Sequence, residues 1–246
     1  MSERDERVVS GPAKTIGMLL LLAGTLLLSS CGLWYETHRL RYVMTVEVMT
    51  PLGLRTASSP IEVSVIESPI WDLGRLVNYE LRGEAVAIDL PDGRVLFALL
   101  RKPENQDWAI HLPIEAFRPF FEQVDRPGAP DWAERIAHLK RSGASATLTH
   151  EQLPVFATFE RLNEPGSIRR VDADGFAEEF GPGVYLRSVH IAATDEAPRD
   201  TLSERLPWLS RYAREGRLLN GTTGSTPVTD VIADRLDASS LSTEAN

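Results

Sequence analysis

EAVAIDLPDGRVLFALL, residues 84–100, carries the clearest local indication of structure in this chain. Two apolar runs, 84–90 and 94–100, lie on either side of Pro91-Asp92-Gly93. An Asp-Gly pair between apolar runs indicates a β-hairpin, because these residue types accept the backbone conformation of a tight turn. The second run ends in VLFALL, and this continuous apolar stretch predicts a strand that is buried on both faces in the centre of a sheet.

Further strands are predicted on both sides of this hairpin. Residues 39–50 are rich in Val, Met, Tyr and Thr, as strands are, and Pro51-Leu52-Gly53 ends the run with a turn. Residues 61–65 alternate apolar and polar side chains, which places one face on a core. Later candidates are residues 146–149, 155–159 and 184–193. Short runs joined by turns indicate a mainly antiparallel sheet.

Two to three amphipathic helices are predicted between and after these strands. Apolar residues spaced three and four apart indicate the first helix, with an interruption near Pro119. They are Ile114, Phe117, Phe120, Phe121 and Val124. Asp131 is predicted to cap the second helix and Gly143 to end it. Its buried side carries Trp132, Ile136 and Leu139. A third helix is predicted over residues 202–219, although Pro207 is acceptable only in the first turn of a helix.

One α+β domain over residues 39–220 is the economical interpretation, with a mainly antiparallel sheet that is either single or sandwich-like. No repeat of fixed period and no Pro- or Ser-rich linker divides this part of the sequence. Residues 221–246 are dominated by Thr, Ser, Ala, Asp and Gly, with scattered Val and Leu. This composition predicts a disordered C-terminal tail.

Composition and charge limit the classes of function. Of the 246 residues, 43% are hydrophobic and 25% are charged, which is close to ordinary globular usage. The formal net charge is −9, since 35 Asp and Glu outnumber 26 Lys and Arg. Nucleic-acid binding depends on Lys and Arg that neutralise phosphates, so this acidic chain is not expected to bind nucleic acid. The single cysteine, Cys31, rules out an intramolecular disulfide and a Cys-rich zinc site.

An uncharged segment precedes that cysteine. Residues 15–30, TIGMLLLLAGTLLLSS, follow Lys14 and end directly before Cys31. A helix that spans a membrane needs about 20 apolar residues, whereas the apolar part of a signal peptide needs about 7–15. The length therefore favours a signal peptide over residues 1–30.

Leu28-Ser29-Ser30-Cys31 resembles the lipobox of bacterial lipoproteins, in which Leu stands three positions before Cys with small residues between them. The resemblance implies cleavage before Cys31, a diacylglyceryl group on its thiol, an acylated amine, and a tether over residues 31–38. Gly32 stands where Asp signals retention in the inner membrane, which favours the outer membrane. The alternative is an uncleaved signal anchor over residues 15–35, which holds the same domain on the periplasmic side of the inner membrane.

The body of the chain resembles a group of uncharacterised proteobacterial envelope proteins. Three stretches carry the resemblance: residues 41–48 with Thr50-Pro51, Gly53 and Arg55-Thr56; Phe180 to Val184; and Leu206 to Leu209. The resemblance implies a single structural unit and brings no activity with it.

Histidines are the first candidates for chemistry. His38, His111, His138, His150 and His190 occur singly, without the spacing of a helical zinc motif. His111 and His150 are the best site candidates among them. Four tryptophans, Trp71, Trp108, Trp132 and Trp208, could stack on sugars or peptides, but each stands beside an apolar run, which favours packing in the core.

Asp172 and Asp174 are weak candidates for a divalent-metal loop. Their spacing to Gly175 and the absence of a distal Glu depart from the EF-hand pattern. The alternative is a helix start, in which one of the two aspartates is the cap and Glu178 and Glu179 favour the first turn. No cofactor is predicted.

Motifs for nucleophilic catalysis or phosphate binding are missing. No serine lies in Gly-x-Ser-x-Gly, and no Lys-Ser or Lys-Thr follows the turn Gly181-Pro182-Gly183. The first hypothesis is therefore a non-enzymatic envelope lipoprotein, an accessory or binding module for a protein partner or a cell-wall component. The second is a periplasmic hydrolase with dispersed catalytic residues, with or without a metal at Asp172 and Asp174.

Overall fold

The computed structural model describes residues 35–70, 74–125, 131–224 and 231–245. The chain divides into two units. The larger unit consists of residues 37–66 and 77–246, and the other of residues 1–36 and 67–76. The buried cores and the clefts discussed below belong to the larger unit, and so do the sheets apart from strand residues 36, 67–70 and 74–76. The signal segment and Cys31 lie outside the described residues.

The described residues form nine strands and six α-helices. The strands are β1 (Glu36–Thr50), β2 (Gly53–Ile70), β3 (Gly74–Arg82), β4 (Val86–Asp89), β5 (Val95–Ala98), β6 (Ser145–Thr147), β7 (Phe156–Phe159), β8 (Ile168–Val171) and β9 (Tyr185–Ala193). The helices are α1 (Trp108–Ala116), α2 (Arg118–Phe121), α3 (Trp132–Ser142), α4 (Phe176–Phe180), α5 (Leu202–Arg205) and α6 (Leu209–Glu215). Short 3-10 turns cover His150–Gln152, Pro165–Ser167, Ile232–Asp234 and Ala238–Ser240.

A five-stranded sheet has the order β3-β2-β1-β9-β6. Strand β9 pairs antiparallel with β1, where Val46 faces Val189, and with β6, where Ala146 faces Ile191. Alternate residues of β1 are buried, namely Leu40, Tyr42, Met44, Val46 and Val48. Because side chains of a strand alternate between its two faces, β1 packs one face into the core.

A four-stranded sheet has the order β4-β5-β7-β8. Its first two strands are the hairpin expected from the sequence, with Val86 opposite Ala98 and Asp89 opposite Val95. Gly93 in the turn has a φ of 86°, and its N–H donates to the carbonyl of Leu90 at 3.0 Å. Every residue of β5 is buried and the strand lies between β4 and β7, which confirms the predicted central position. The α+β class is confirmed, with two sheets rather than one.

The first core lies against the inner faces of both sheets and against α1, α2 and α3. Tyr42 is fully buried there, and its hydroxyl donates to the carbonyl of Ala109 at 2.8 Å. Burial raises the pKa of the Tyr42 hydroxyl far above its usual value. Aromatic side chains pack edge to face in the same core, as Phe156 does on Phe176.

A second core lies against the other face of the four-stranded sheet. Phe97 and Phe159 of that sheet pack with Leu209 of α6 and with apolar residues near the C-terminus. Ile232, Ala233, Leu236, Ala238, Leu241 and Ala245 are the buried residues of that last stretch. The N–H of Gly83 donates to Thr243 Oγ1 at 2.9 Å, across 160 residues of sequence. The prediction of a disordered tail over residues 221–246 was therefore wrong for residues 231–245.

Two predicted helix boundaries are confirmed and two predicted helices are each divided. Asp131 caps α3 by accepting from the N–H of Glu134, and Gly143 ends it at a φ of 61°. The first predicted helix is interrupted at Phe117, so Pro119 lies in the first turn of α2. The third is divided into α5 and α6 around Pro207, because proline lacks an N–H and disfavours the α conformation at the residue before it. No helix among the described residues is long and apolar enough to cross a membrane.

Candidate functional site

A cleft of about 500 Å³ lies where three loops of the larger unit meet. Each loop follows a β-strand: residues 102–104 come after β5, residues 150–155 after β6, and residues 172–175 after β8. The ionisable side chains that line it are Lys102, Glu104, His150, Arg170, Asp172 and Asp174. Three of the residues considered from the sequence, His150, Asp172 and Asp174, are thus brought together.

Lys102 supplies a partly desolvated cation to this cleft. Its Nζ lies 5.3 Å from the centre of the Trp108 ring and donates to the carbonyl of Glu151 at 3.3 Å. Its backbone N–H and carbonyl pair with Asn105 at 3.1 Å and 3.0 Å, which closes the loop. Burial lowers the pKa of the Lys102 ammonium from that of an ordinary lysine. A cation that is held over an aromatic ring and partly desolvated interacts more strongly with a ligand anion than a fully hydrated one.

His150 is placed by a local capping motif. Thr149 and Gln152 form a capping box, in which the backbone N–H of Thr149 donates to Gln152 Oε1 at 3.1 Å. This motif satisfies backbone groups at the start of the 3-10 turn and fixes the position of His150. The imidazole is exposed at the cleft, where it can donate or accept a hydrogen bond.

Asp172 and Asp174 lie in a tight turn between β8 and α4. The N–H of Gly175 donates to the carbonyl of Asp172 at 2.9 Å, and the Asp172 carboxylate lies 3.6 Å from Arg170 Nε. A helix does start here, with Glu178 and Glu179 in its first turn, as the alternative interpretation predicted. The predicted cap was wrong, because the cap residue is Gly175, which has no side chain to accept from the helix N–H groups.

The two aspartates do not form a metal cluster with their surroundings. Among residues 35–70, 74–125, 131–224 and 231–245, neither Asp172 nor Asp174 belongs to a group of three ligating side chains whose ligand atoms lie within 4.8 Å of one another. Calcium is usually bound by six to eight oxygen atoms. The geometry instead offers carboxylates and cations side by side, which suits a polar ligand with charges of both signs.

His111, the other histidine candidate, lies outside the cleft. Its Nδ1 lies 3.0 Å from the carbonyl of Asp107 in the same helix, and its ring centre lies 6.2 Å from that of Tyr79. His138 lies on α3, and its buried Nε2 has no hydrogen-bond partner. Trp108, Trp132 and Trp208 are buried, in agreement with the expectation of core packing, while Trp71 lies outside the described residues.

A serine, a histidine and a glutamate meet on the outer face of the five-stranded sheet, a grouping that the sequence did not indicate. Ser188 Oγ lies 2.8 Å from both His190 Nε2 and Glu47 Oε2. His190 Nδ1 lies 3.1 Å from Thr147 Oγ1. In a catalytic triad the carboxylate bonds the histidine nitrogen that is remote from the serine. Glu47 instead bonds the serine, so this group lacks the triad arrangement.

Comparisons with known proteins found no match. No protein-family model, no curated protein and no solved structure matches this chain. Function is therefore argued from the geometry of the cleft and from the N-terminal sequence.

Proposed function

We propose that this protein is a lipid-anchored binding module of the bacterial envelope, and that the cleft around Lys102, His150 and Arg170 binds a polar, charged segment of an envelope partner. The partner is a protein or a component of the cell wall. The observation that carries the binding role is the meeting of cations and carboxylates from three separate loops in one cleft.

The size and lining of the cleft support a ligand rather than a chance surface depression. Its volume of about 500 Å³ falls within the range of about 300–1,000 Å³ that is usual for ligand sites. Lys102 and Arg170 lie near Asp172 and Asp174, so a ligand with charges of both signs can pair with each of them. Loops held by rigid strands are common positions for binding residues.

The lipid anchor is supported by the sequence alone. Leu28-Ser29-Ser30-Cys31 has the lipobox pattern, and the preceding apolar segment is short for a membrane span. Several acyl chains on Cys31 hold a protein on a membrane where a single chain binds only marginally. We infer attachment on the periplasmic side, with the outer membrane favoured by Gly32.

Site-specific photo-cross-linking in intact cells tests the binding role. A photoreactive amino acid replaces Asp174 in the cleft or, as a control position, the exposed Arg118 of α2. We expect a discrete adduct from position 174 that is lost when Lys102→Glu and Arg170→Glu are introduced. Adducts from position 118 should not depend on these charges.

The matched control for charge reversal is Lys140→Glu with Arg199→Glu. Both residues form ion pairs outside the cleft, with Asp195 and Glu196. This variant should keep the adduct from position 174. An adduct that survives Lys102→Glu with Arg170→Glu, or the absence of any adduct specific to position 174, would contradict the proposed binding role.

The alternative, a periplasmic hydrolase, has one structural observation in its favour. Ser188 and His190 are in hydrogen-bond contact on β9. The bonding of Glu47 to the serine and the position of the group on an exposed strand face make this the weaker proposal.

A further inference from the structure

A second cleft, of about 290 Å³, lies beside α6 and the C-terminal segment and shares no lining residue with the first cleft. Arg101, which follows β5, lines one side. Tyr212, within α6, and Arg217, just beyond it, line another. The remaining lining residues are Leu81, Ala213, Gly216, 237–239 and 242–243.

Arg101 is the unusual residue of this cleft. Arg101 is half-buried as a residue, but its Nε is buried and has no hydrogen-bond partner among the described residues, which also form no ion pair with its guanidinium. Carboxylates are not scarce, since the chain has 35 acidic residues against 26 basic ones. Arg217 nearby pairs with Glu215 and donates to the carbonyl of Gly221 at 2.8 Å.

A buried N–H donor without an acceptor, such as the Nε–H of Arg101, destabilises the fold. Buried polar groups in native proteins almost always have a partner, and an exception calls for an ion, a water or a functional reason. Arginine carries five N–H donors in a planar fork that matches the oxygens of a carboxylate or a phosphate. Arg217 adds a second positive charge to the same cleft.

We propose that this second cleft binds the oxyanion head group of a small ligand, a carboxylate or a phosphate, with Arg101 as the principal donor. Asp237 also lines the cleft and accepts hydrogen bonds from Ser239 and Ser240. Its negative charge favours a head group of low charge whose remainder offers a hydrogen-bond donor. This site is separate from the cleft around Lys102 and does not depend on the function proposed for it.

Thermal unfolding of the full-length protein in detergent, at constant ionic strength, tests the site with two probes, acetate and inorganic phosphate. The variant is Arg101→Met, and the control is Arg214→Met, an exposed arginine of α6 outside the cleft. We expect a saturable rise in the wild-type Tm with at least one probe, roughly 5–10 °C at about 100 times Kd. The effective probe identifies the head group. Arg214→Met should keep the rise, and Arg101→Met should abolish it.

The anion-free proteins provide a second measurement. Arg101→Met removes an unsatisfied buried donor and keeps much of the aliphatic volume, so its Tm without anion should equal or exceed that of wild type. A lower Tm without anion assigns Arg101 a structural role and contradicts the proposal. The same holds if neither probe raises the wild-type Tm, or if Arg101→Met responds as wild type does.

Discussion

Glu84 shows how one buried carboxylate can join distant parts of this fold. Its side chain accepts hydrogen bonds from the backbone N–H and the hydroxyl of Thr201, both at 2.7 Å, and from the N–H of Leu202 at 2.9 Å. The two N–H groups are backbone donors at the start of α5, and a negative charge at a helix N-terminus is favourable. Glu84 therefore fastens α5 to the start of the β4-β5 hairpin.

We expect Glu84→Gln to lower the free energy of unfolding by about 1–3 kcal/mol. The amide oxygen can still accept from both backbone N–H groups, but the negative charge is lost, and the new NH₂ group faces the Thr201 hydroxyl, which must turn from donor to acceptor. Urea unfolding followed by circular dichroism measures the change. Glu178→Gln, at an exposed position of α4, is the control and should stay within about 0.5 kcal/mol of wild type.

Features of single residues that depend on their sequence neighbours could be predicted, whereas the meeting of distant side chains in one site could not. Asp131 and Gly143 could be assigned because a cap and a left-handed residue depend only on the nearest turn. His150 and Asp172 were separate candidates, and nothing in their local sequence indicates that they share a cleft. They meet because β7 pairs with β8, which is a long-range property of the sheet. The lack of a hydrogen-bond partner for Arg101 Nε could not be predicted either, since it depends on which residues surround that atom in the fold.

Arg135 of α3 contacts both α2 and the residue at position 125 that follows α2. Arg135 donates to both carboxylate oxygens of Asp125, at 2.6 Å and 2.5 Å. Its guanidinium lies 5.0 Å from the ring centres of Phe121 and Trp132. A guanidinium that is paired with a carboxylate and stacked on aromatic rings holds the two helices in one arrangement.

This pair predicts a dependence of stability on pH. Arg135 holds the pKa of the Asp125 carboxyl below its usual value, chiefly through their hydrogen bonds. The stabilisation is therefore fully present above the unfolded pKa, about 3.9, and is lost as the pH falls through the lower folded value. We expect Asp125→Asn to cost about 0.5–1 kcal/mol at pH 7, with the difference from wild type shrinking below about pH 4.

Urea unfolding at a series of pH values measures this effect. Glu122→Gln, at an exposed position next to α2, should track wild type across the whole range. A deficit of Asp125→Asn that is as large at pH 3 as at pH 7 would exclude the ion pair as its cause.

Among the elements, those with a strong local signal were predicted. The β4-β5 hairpin has a turn dipeptide between apolar runs, and α3 has both a cap and a periodic apolar face. Strand β8 was missed because it has only four residues and two of them are arginines. Its strand conformation comes from pairing with β7, with Ala157 opposite Arg170, and no pattern within the segment reveals it.

For the molecule as a whole, the tail beyond residue 220 was the largest error. Ile232 and Leu236 are four residues apart, but Leu241 breaks that spacing, so these scattered residues do not define a helical or strand period. Each is nevertheless buried against the four-stranded sheet. Scattered apolar residues can complete a core when distant parts of the chain supply the rest of the surface.

The proposed lipid anchor at Cys31 is tested with the full-length protein in a bacterial host. Cys31→Ser removes the thiol that would accept the diacylglyceryl group, so we expect loss of labelled fatty acid and accumulation of an uncleaved precursor. Gel mobility and label incorporation measure both. Ser30→Ala keeps a small residue before the cysteine and should be processed as wild type. Normal processing and labelling of Cys31→Ser would rule out lipidation there.

The hydrogen bond from Gly83 to Thr243 joins an early segment of the chain to one that the ribosome synthesises near the end. The second core cannot close until residues 231–245 have left the ribosome, long after the hairpin that they cover has emerged. Contacts between residues so far apart in sequence form slowly, because a long loop must be ordered before they bring any gain. The first core, which is built from residues before 195, does not need this segment, so the second core is the part of the fold that forms last.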